Sequence, residues 1–402
     1  MLSQLSYASV HEKIYHSPET GARSFFHVPR TNRKRSFRFR YTNARRAVIL
    51  KGPARGMTAR GTAAKSLNLK EPDIAMKILV IGDEKRYRGF GPAWDEDAFT
   101  CTFCPRGSSN ADLIAACPDA EVIFADAISP VDAELIAALP ALKMIHSEGV
   151  AFDKIDCKAA ADAGVFVCNN KGGNAPSVAE QTVLLMLELL RDSIAGHHAT
   201  QAGEQIRFKE SKMRDGIHEL SGMTVGLVGF GDIAKATAKL LSAFGSKVYY
   251  WNRTRREAAE AEYGVEYLPL DELCAKCDII SLHLSVTPET AGLVDADFIA
   301  KMKPTAYIVN TARGDLVDNA ALRDALISGR IAGAAFDTIA PEPTPADHPL
   351  VALPEDCPAR VIYSSHVGGI TIEFFQRGYR HIWENTKRIA AGERPDCVMN
   401  GI

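Results

Sequence analysis

The feature that most constrains this chain is residues 223–234, MTVGLVGFGDIA, where an apolar run is cut by Gly229 and Gly231 and then continues into a helical pattern. A G-x-G-x-x-A between a strand and a helix asks for a parallel sheet with crossover helices. Gly229 would make the tight turn, Gly231 would leave room for backbone to approach a pyrophosphate, and Ala234 would let the helix pack on the strand. The helix is predicted to carry Ile233, Thr237, Leu240, Leu241 and Phe244 on one face and to stop at Gly245. The phosphates would sit at its N-terminus, beside Asp232 and Ile233, where free N–H groups and the helix dipole favour anions.

The chain from Met76 onward agrees with this reading. Strand-like runs at 77–81, 99–103, 121–125, 142–147 and 164–168 precede a long apolar helix at 178–190. A polar loop is predicted next, followed by strands at 223–228, 247–251, 278–284, 306–310, 331–337 and 361–363 and a closing helix at 373–391. Alternation of this kind implies an α/β protein: a flavodoxin-like substrate domain (76–175 with 371–402), a Rossmann dinucleotide-binding domain (176–370), and a cleft between them. Ser177 reads as the cap of the long helix, with Glu180 completing a capping box.

Four hundred and two residues, 46% hydrophobic and 24% charged, suffice for two domains. The net charge of -2 hides an asymmetry, because residues 1–75 hold 15 Lys and Arg against 4 Asp and Glu. The stretch 30–46 has no acidic residue and no apolar period, so 1–75 is expected to be disordered. Three readings of it stand: an extension upstream of an enzyme beginning at Met76, which is favoured because Met76 directly precedes the first strand; an Arg/Ser-rich transit peptide; or a basic arm. The arm lacks regular aromatic interleaving, and no nucleic-acid partner is expected. The most apolar strand region, 220–231, is far shorter than the roughly 20 residues of a membrane-spanning helix, so no membrane partner is expected. Nine cysteines, with Cys168 and Cys277 inside apolar runs, suggest reduced thiols in the cytoplasm. The pairs Cys101/Cys104 and Cys274/Cys277 belong to different predicted domains, and no metal site is expected.

A second group of signals lies where strands end. The strand 247–251 runs into Asn252, Arg253 and Thr254 where a carboxylate for the ribose 2'-hydroxyl usually stands. Asn removes the charge that would repel a 2'-phosphate, and Arg can grip one, so NADP(H) is favoured, with NAD(H) the alternative. Three later strands lead to Thr311-Ala312-Arg313-Gly314, to Asp337 and Pro341-Glu342-Pro343, and to Ser364-Ser365-His366-Val367-Gly368-Gly369. Each charged group thus stands at a carboxyl end, where open α/β sheets place their sites.

With these runs, in this order and spacing, the sequence from Met76 onward resembles the D-isomer-specific 2-hydroxyacid dehydrogenase family. The resemblance implies that Arg313, Glu342 and His366 are the catalytic triad and that Asp337 contacts the nicotinamide carboxamide. It also implies that Ser285, Thr311, Ala312, Arg313, His366 and Gly368 lie along the cofactor, although Ser285 replaces a usual Pro. Glu148, Gly149 and Val150 resemble the loop whose backbone holds the substrate carboxylate, and a homodimer built on the cofactor domains is implied.

The chemistry asks for these residue types. Arg313 offers a permanently charged donor fork to a 2-oxoacid, His366 can exchange a proton near neutral pH, and a carboxylate at Glu342 would orient the ring. The expected reaction is NAD(P)H-dependent reduction of glyoxylate, hydroxypyruvate or an aryl pyruvate, with Arg313 and His366 touching the substrate. Formate is disfavoured because Glu342, not Gln, stands beside the His. Phosphoglycerate dehydrogenase is the runner-up: Glu148 would repel a phosphate, whereas Lys85, Arg86 and Arg88 lie near enough to the first strand to reach an anion. A non-catalytic, dinucleotide-sensing scaffold like the C-terminal-binding corepressors, which share the fold and the triad, is the rival from another class.

Overall fold

The computed structural model describes residues 75–402. The basic segment expected to be disordered lies outside the described residues. The first strand series is β1 (Met76–Ile81), β2 (Phe99–Cys104), β3 (Val122–Ala125), β4 (Met144–Ser147) and β5 (Phe166–Cys168). These form one parallel sheet in the order β2-β1-β3-β4-β5, the flavodoxin-like arrangement. Its central strands are apolar on both faces, as a sheet covered on both sides requires. One face packs Leu79, Ile123 and Ile145 under Leu113 and Leu135. The other packs Ile78, Val80 and Phe124 against Tyr379, Ile382 and Trp383 of the closing helix Ile372–Ala390. The chain therefore returns at its end to cover the first sheet.

The second series is β6 (Thr224–Val228), β7 (Lys247–Trp251), β8 (Glu266–Tyr267), β9 (Ile279–Leu282), β10 (Tyr307–Asn310), β11 (Gly333–Phe336) and β12 (Arg360–Tyr363). Its parallel sheet runs β12-β11-β10-β9-β6-β7-β8. Strand order reverses beside β6, so a crevice opens at the carboxyl ends of β6 and β9, where the Gly229 turn lies. The two-residue β8 was not anticipated, being too short to show a period.

Three local expectations are corrected. The stretch predicted as a polar loop forms helices Ser193–Gln201 and Gln205–Asp215. Neither buries a residue, so neither has the apolar stripe from which a helix is read. The helix Asp232–Phe244 buries Ala234, Thr237, Ala238 and Leu241, whereas Phe244 is 42% exposed. Thr237 and Leu241 of the predicted face are buried and Ile233 and Leu240 half-buried, so the departure is confined to Phe244, while the small residues Ala234 and Ala238 join the buried face of a helix that packs on Ala175–Arg191. Ser177 is not a cap: the long helix starts at Ala175 after Asn174, with a proline in its first turn, where no N–H partner is lost. The Ser177 hydroxyl instead meets Thr371 Oγ1 at 2.7 Å. No described helix is long and apolar enough to cross a membrane.

Candidate functional site

The glycine turn has two glycines with different causes. Gly229 has φ 97°, and a Cβ there would come within 2.6 Å of the His283 carbonyl oxygen, so the protein itself demands glycine. A Cβ on Gly231 would meet nothing within 4 Å. Protein packing does not require glycine at that position, and the open space fits a ligand approaching the backbone. Gly231 also caps helix Asp232–Phe244 with no side chain, which leaves the first N–H groups of that helix without a side-chain cap. The donor set and the space both suit a pyrophosphate.

Beyond β7, Asn252 Nδ2 donates to the Thr254 carbonyl at 2.9 Å and shapes the turn. Arg255 is engaged by Glu260 through two bonds of 2.8 and 2.9 Å, and with Tyr250 it holds that carboxyl down at about 2. Arg253 and Arg256 are exposed and make no ion pair among the described residues. Ser285 lies in an exposed turn, where its carbonyl accepts from the Thr290 hydroxyl at 2.8 Å.

The end of β10 is shaped by Asn310, fully buried, which accepts from Ala312 N–H at 3.0 Å and donates to the Arg313 carbonyl at 2.9 Å. Thr311 Oγ1 meets Thr182 Oγ1 at 2.8 Å and ties the turn to the long helix. Arg313 is exposed, donates only to its neighbour Ala312 O (2.7 Å), and has no carboxylate partner among the described residues. Its next residue, Gly314, abuts the loop after β11, since a Cβ there would fall 2.0 Å from Ala340 N. Asn319 (3.1 Å) and His348 (3.0 Å) both reach the Ala340 carbonyl. The two loops carrying Arg313 and Glu342 are thereby locked to each other.

After β12, Ser365 and His366 have φ 56° and 55°, left-handed for non-glycine residues. The turn is held in that shape by Asp337, which is 5% exposed. Its Oδ1 accepts from Ser364 Oγ (2.6 Å) and Val367 N (3.0 Å), and its Oδ2 accepts from Gly368 N (2.9 Å). The His366 N–H donates to the Asp337 carbonyl at 2.6 Å. So positioned, His366 directs Nδ1 at both Glu342 oxygens, at 3.0 and 2.9 Å. A carboxylate only accepts, which places the proton on Nδ1 and leaves Nε2 for other work.

Arg313, Asp337 and His366 line one cavity of about 390 Å³, with Glu342 behind the His366 ring. Glu148, Gly149 and Val150 border the same cavity. The loop is held by Asn170, whose Nδ2 donates to the Glu148 carbonyl at 2.7 Å, and by Asn169, which reaches the Val150 carbonyl at 2.6 Å. Beside it Ser147 Oγ donates to the Ala151 carbonyl at 2.6 Å.

The expectation that Glu148 presents a repelling charge needs correction. It is 5% exposed and receives two bonds from Arg86, Nε at 2.8 Å and Nη2 at 2.5 Å, plus the Tyr379 hydroxyl. Burial lifts its carboxyl above the ordinary range, against the pull of Arg86 and Tyr379. Of the three cations singled out after β1, Arg86 lines the cavity, Arg88 pairs with Glu84 on its own helix, and Lys85 stands at a separate surface hollow.

Comparison with known proteins agrees with this arrangement. Residues 183–368 match the model of the D-isomer specific 2-hydroxyacid dehydrogenase, NAD binding domain. A D-3-phosphoglycerate dehydrogenase of Mycobacterium tuberculosis is 39% identical over 73% of this chain, and the chain spans 54% of that protein. A glyoxylate reductase of Thermofilum pendens is 36% identical over 73% of this chain and 85% of its own. The crystal structure of D-lactate dehydrogenase with NAD+ from Lactobacillus jensenii superposes with a TM-score of 0.68 at 27% identity, covering 81% of this chain and 99% of that one. The chain belongs to the D-isomer-specific 2-hydroxyacid dehydrogenase family. Its second sheet is the family's nicotinamide-dinucleotide-binding domain.

For a member of this family, three groups in the cavity went unread in the sequence: Arg106, Asp126 and the clamp made by Asp337. Arg106 follows β2 and Asp126 follows β3, as Arg86 follows β1. That shared position at carboxyl ends was the available signal. Asp126, 5% exposed, accepts from Arg106 and, at 3.1 Å, from Arg86 Nη2. Burial opposes its ionisation, but the bonds from Arg106, Ile128 N–H and Arg86 outweigh burial and hold the carboxyl below its ordinary value.

Proposed function

We propose that this 2-hydroxyacid dehydrogenase family member reduces a small 2-oxoacid, such as glyoxylate, hydroxypyruvate or an aryl pyruvate, to the D-2-hydroxyacid. The observation that carries the reading is His366 held on Glu342 in the cavity where Arg313 stands without a carboxylate partner among the described residues. A bound NAD(P)H would supply the hydride. Arg313 would orient the substrate carboxylate and polarise its carbonyl, with the backbone at Gly149 and Val150 taking the other end of the carboxylate. His366 Nε2 would hand its proton to the carbonyl oxygen, and Glu342 would fix the ring for that transfer.

The groups proposed to hold the cofactor are the Gly229–Gly231 turn, the N-terminus at Asp232 and Ile233, Thr311 and Ala312, and Asp337 with Gly368. Asn252 and Arg253, which makes no ion pair among the described residues, support a preference for NADP(H), since a 2'-phosphate would find a cation beside an uncharged residue at the end of β7. Residues 76–175 with 371–402 and residues 176–370 are read as the substrate and cofactor domains. A homodimer is proposed through the cofactor domain; Ile194, Ile206 and Met213, exposed on two helices that bury nothing of their own, support it.

Initial rates of NADPH and NADH oxidation against glyoxylate, hydroxypyruvate, phenylpyruvate and 3-phosphohydroxypyruvate test the reading. Turnover with one of these acids, faster with NADPH, is expected. Tight cofactor binding without turnover would replace the enzyme by a dinucleotide-sensing scaffold.

A further inference from the structure

The cavity end facing the carboxyl edge of the first sheet is built from four charged side chains drawn from separate strand ends. Arg86 is heavily engaged: Nε serves Glu148 and the Tyr379 hydroxyl (3.0 Å), Nη2 serves Glu148 and Asp126, and only Nη1 makes no bond among the described residues. Its guanidinium also lies over the Phe375 ring, 5.2 Å from the centroid. Arg106 is different. Its single bond among the described residues runs from Nη2 to Asp126, and its side chain is 52% exposed beside the cavity. Two guanidinium groups thus face two carboxylates, and the set has no surplus charge. Ala127, Ile128 and Phe374 complete this end with apolar surface.

A dianionic phosphate entering here would find its counter-charges already taken by buried carboxylates, and it would have to shed water without gaining a free cation. A neutral substituent meets no such barrier. A hydroxyl oxygen in particular would find the unused Arg106 N–H groups as donors. Resting on the reading of the cavity as a 2-oxoacid site, we propose that Asp126 is a specificity-determining residue that neutralises Arg86 and Arg106 and so discriminates against 2-oxoacids with an anionic substituent in favour of those with an uncharged one, a hydroxyl being the best matched. Arg106 is the group that contacts the substituent.

The test measures kcat/KM for hydroxypyruvate and 3-phosphohydroxypyruvate with the whole chain and two variants. Wild type should favour the neutral acid. Asp126→Asn keeps the shape and leaves one positive charge in surplus. It should shift the ratio toward the phosphorylated acid by about tenfold or more, the scale of one partly screened charge interaction. Arg106→Gln should move the ratio the other way and raise KM for hydroxypyruvate above that for glyoxylate, which carries no substituent. The opposed signs keep the test decisive if either variant is poorly folded. A wild type that already prefers the phosphorylated acid, or ratios unchanged in the variant that folds, would overturn the proposal while leaving the 2-oxoacid reading intact. Absence of turnover with every acid would strike at that reading itself and take the proposal with it.

Discussion

Replacing Asp337 by alanine probes how the site is assembled. One carboxylate accepts from Ser364 Oγ, Val367 N and Gly368 N, and it is 5% exposed. A hydrogen bond to a charged acceptor contributes about 1.5–3 kcal/mol net, and three sharing one group do not add. The expected loss of folding stability for Asp337→Ala is therefore about 2–4 kcal/mol, because three neutral donors lose the one acceptor they share. Ser365 and His366 hold left-handed conformations that cost roughly 1–2 kcal/mol each. Without the carboxylate only the main-chain bond from His366 N–H to the Asp337 carbonyl still holds the turn against that strain, so the turn relaxes and His366 drifts from Glu342. A displacement of this kind costs about a hundredfold in kcat. Urea unfolding of wild type and Asp337→Ala, with kcat at saturating cofactor and substrate, measures both effects. Asp337→Asn keeps one acceptor oxygen and should fall between the two. A residue serving only the nicotinamide would raise KM for the cofactor without moving the urea midpoint. An alanine variant with wild-type midpoint and kcat would refute the clamp.

Three further outcomes are expected. Gly314→Ala places a methyl where only 2.0 Å separates it from Ala340 N, so the Arg313 and Glu342 loops must part; kcat should fall by about tenfold or more while the cofactor dissociation constant changes little. Arg253→Ala should cut kcat/KM for NADPH by roughly tenfold relative to NADH, the value of one charge-assisted bond, and equal effects on both cofactors would contradict the assignment. His146, fully buried, donates from Nδ1 to the Ser147 carbonyl at 2.9 Å, and burial pushes its pKa down to about 3 despite that bond. Between pH 6.5 and 3 the unfolded chain binds a proton that the native chain refuses, so stability is intact above pH 6.5 and drains as pH falls, by on the order of 5 kcal/mol at pH 3. Urea midpoints from pH 7 to 4 should fall more steeply for wild type than for His146→Gln, and equal slopes would sink the argument.

The sequence was most readable where one residue type answers to one cause. Gly229 needs a positive φ beside the His283 carbonyl, and strands that are apolar on both faces can only be covered ones, so both sheets and the dinucleotide turn were legible. The meeting of Arg313, Glu342 and His366 was legible because each follows a strand of one parallel sheet. Helices 193–201 and 205–215 were not, since a helix that buries nothing leaves no period. The long helix was misplaced at its start because Ser177 and Glu180 mimic a capping box, whereas the proline fixes the first turn ahead of them. The charge cluster was hidden for a different reason. Arg86 meets Glu148 across 62 residues, Asp126 across 40 and Tyr379 across 293, and no local pattern announces such pairs. The same distance explains why Glu148 read as a free charge.

The most direct test of the central claim is the steady-state rate with the best 2-oxoacid and saturating NADPH for wild type, Glu342→Gln and His366→Ala. If His366 transfers the proton and Glu342 orients it, kcat should fall by about 10²–10⁴-fold in His366→Ala and less in Glu342→Gln, with cofactor binding preserved in both. A His366→Ala variant that retains wild-type kcat would contradict the account.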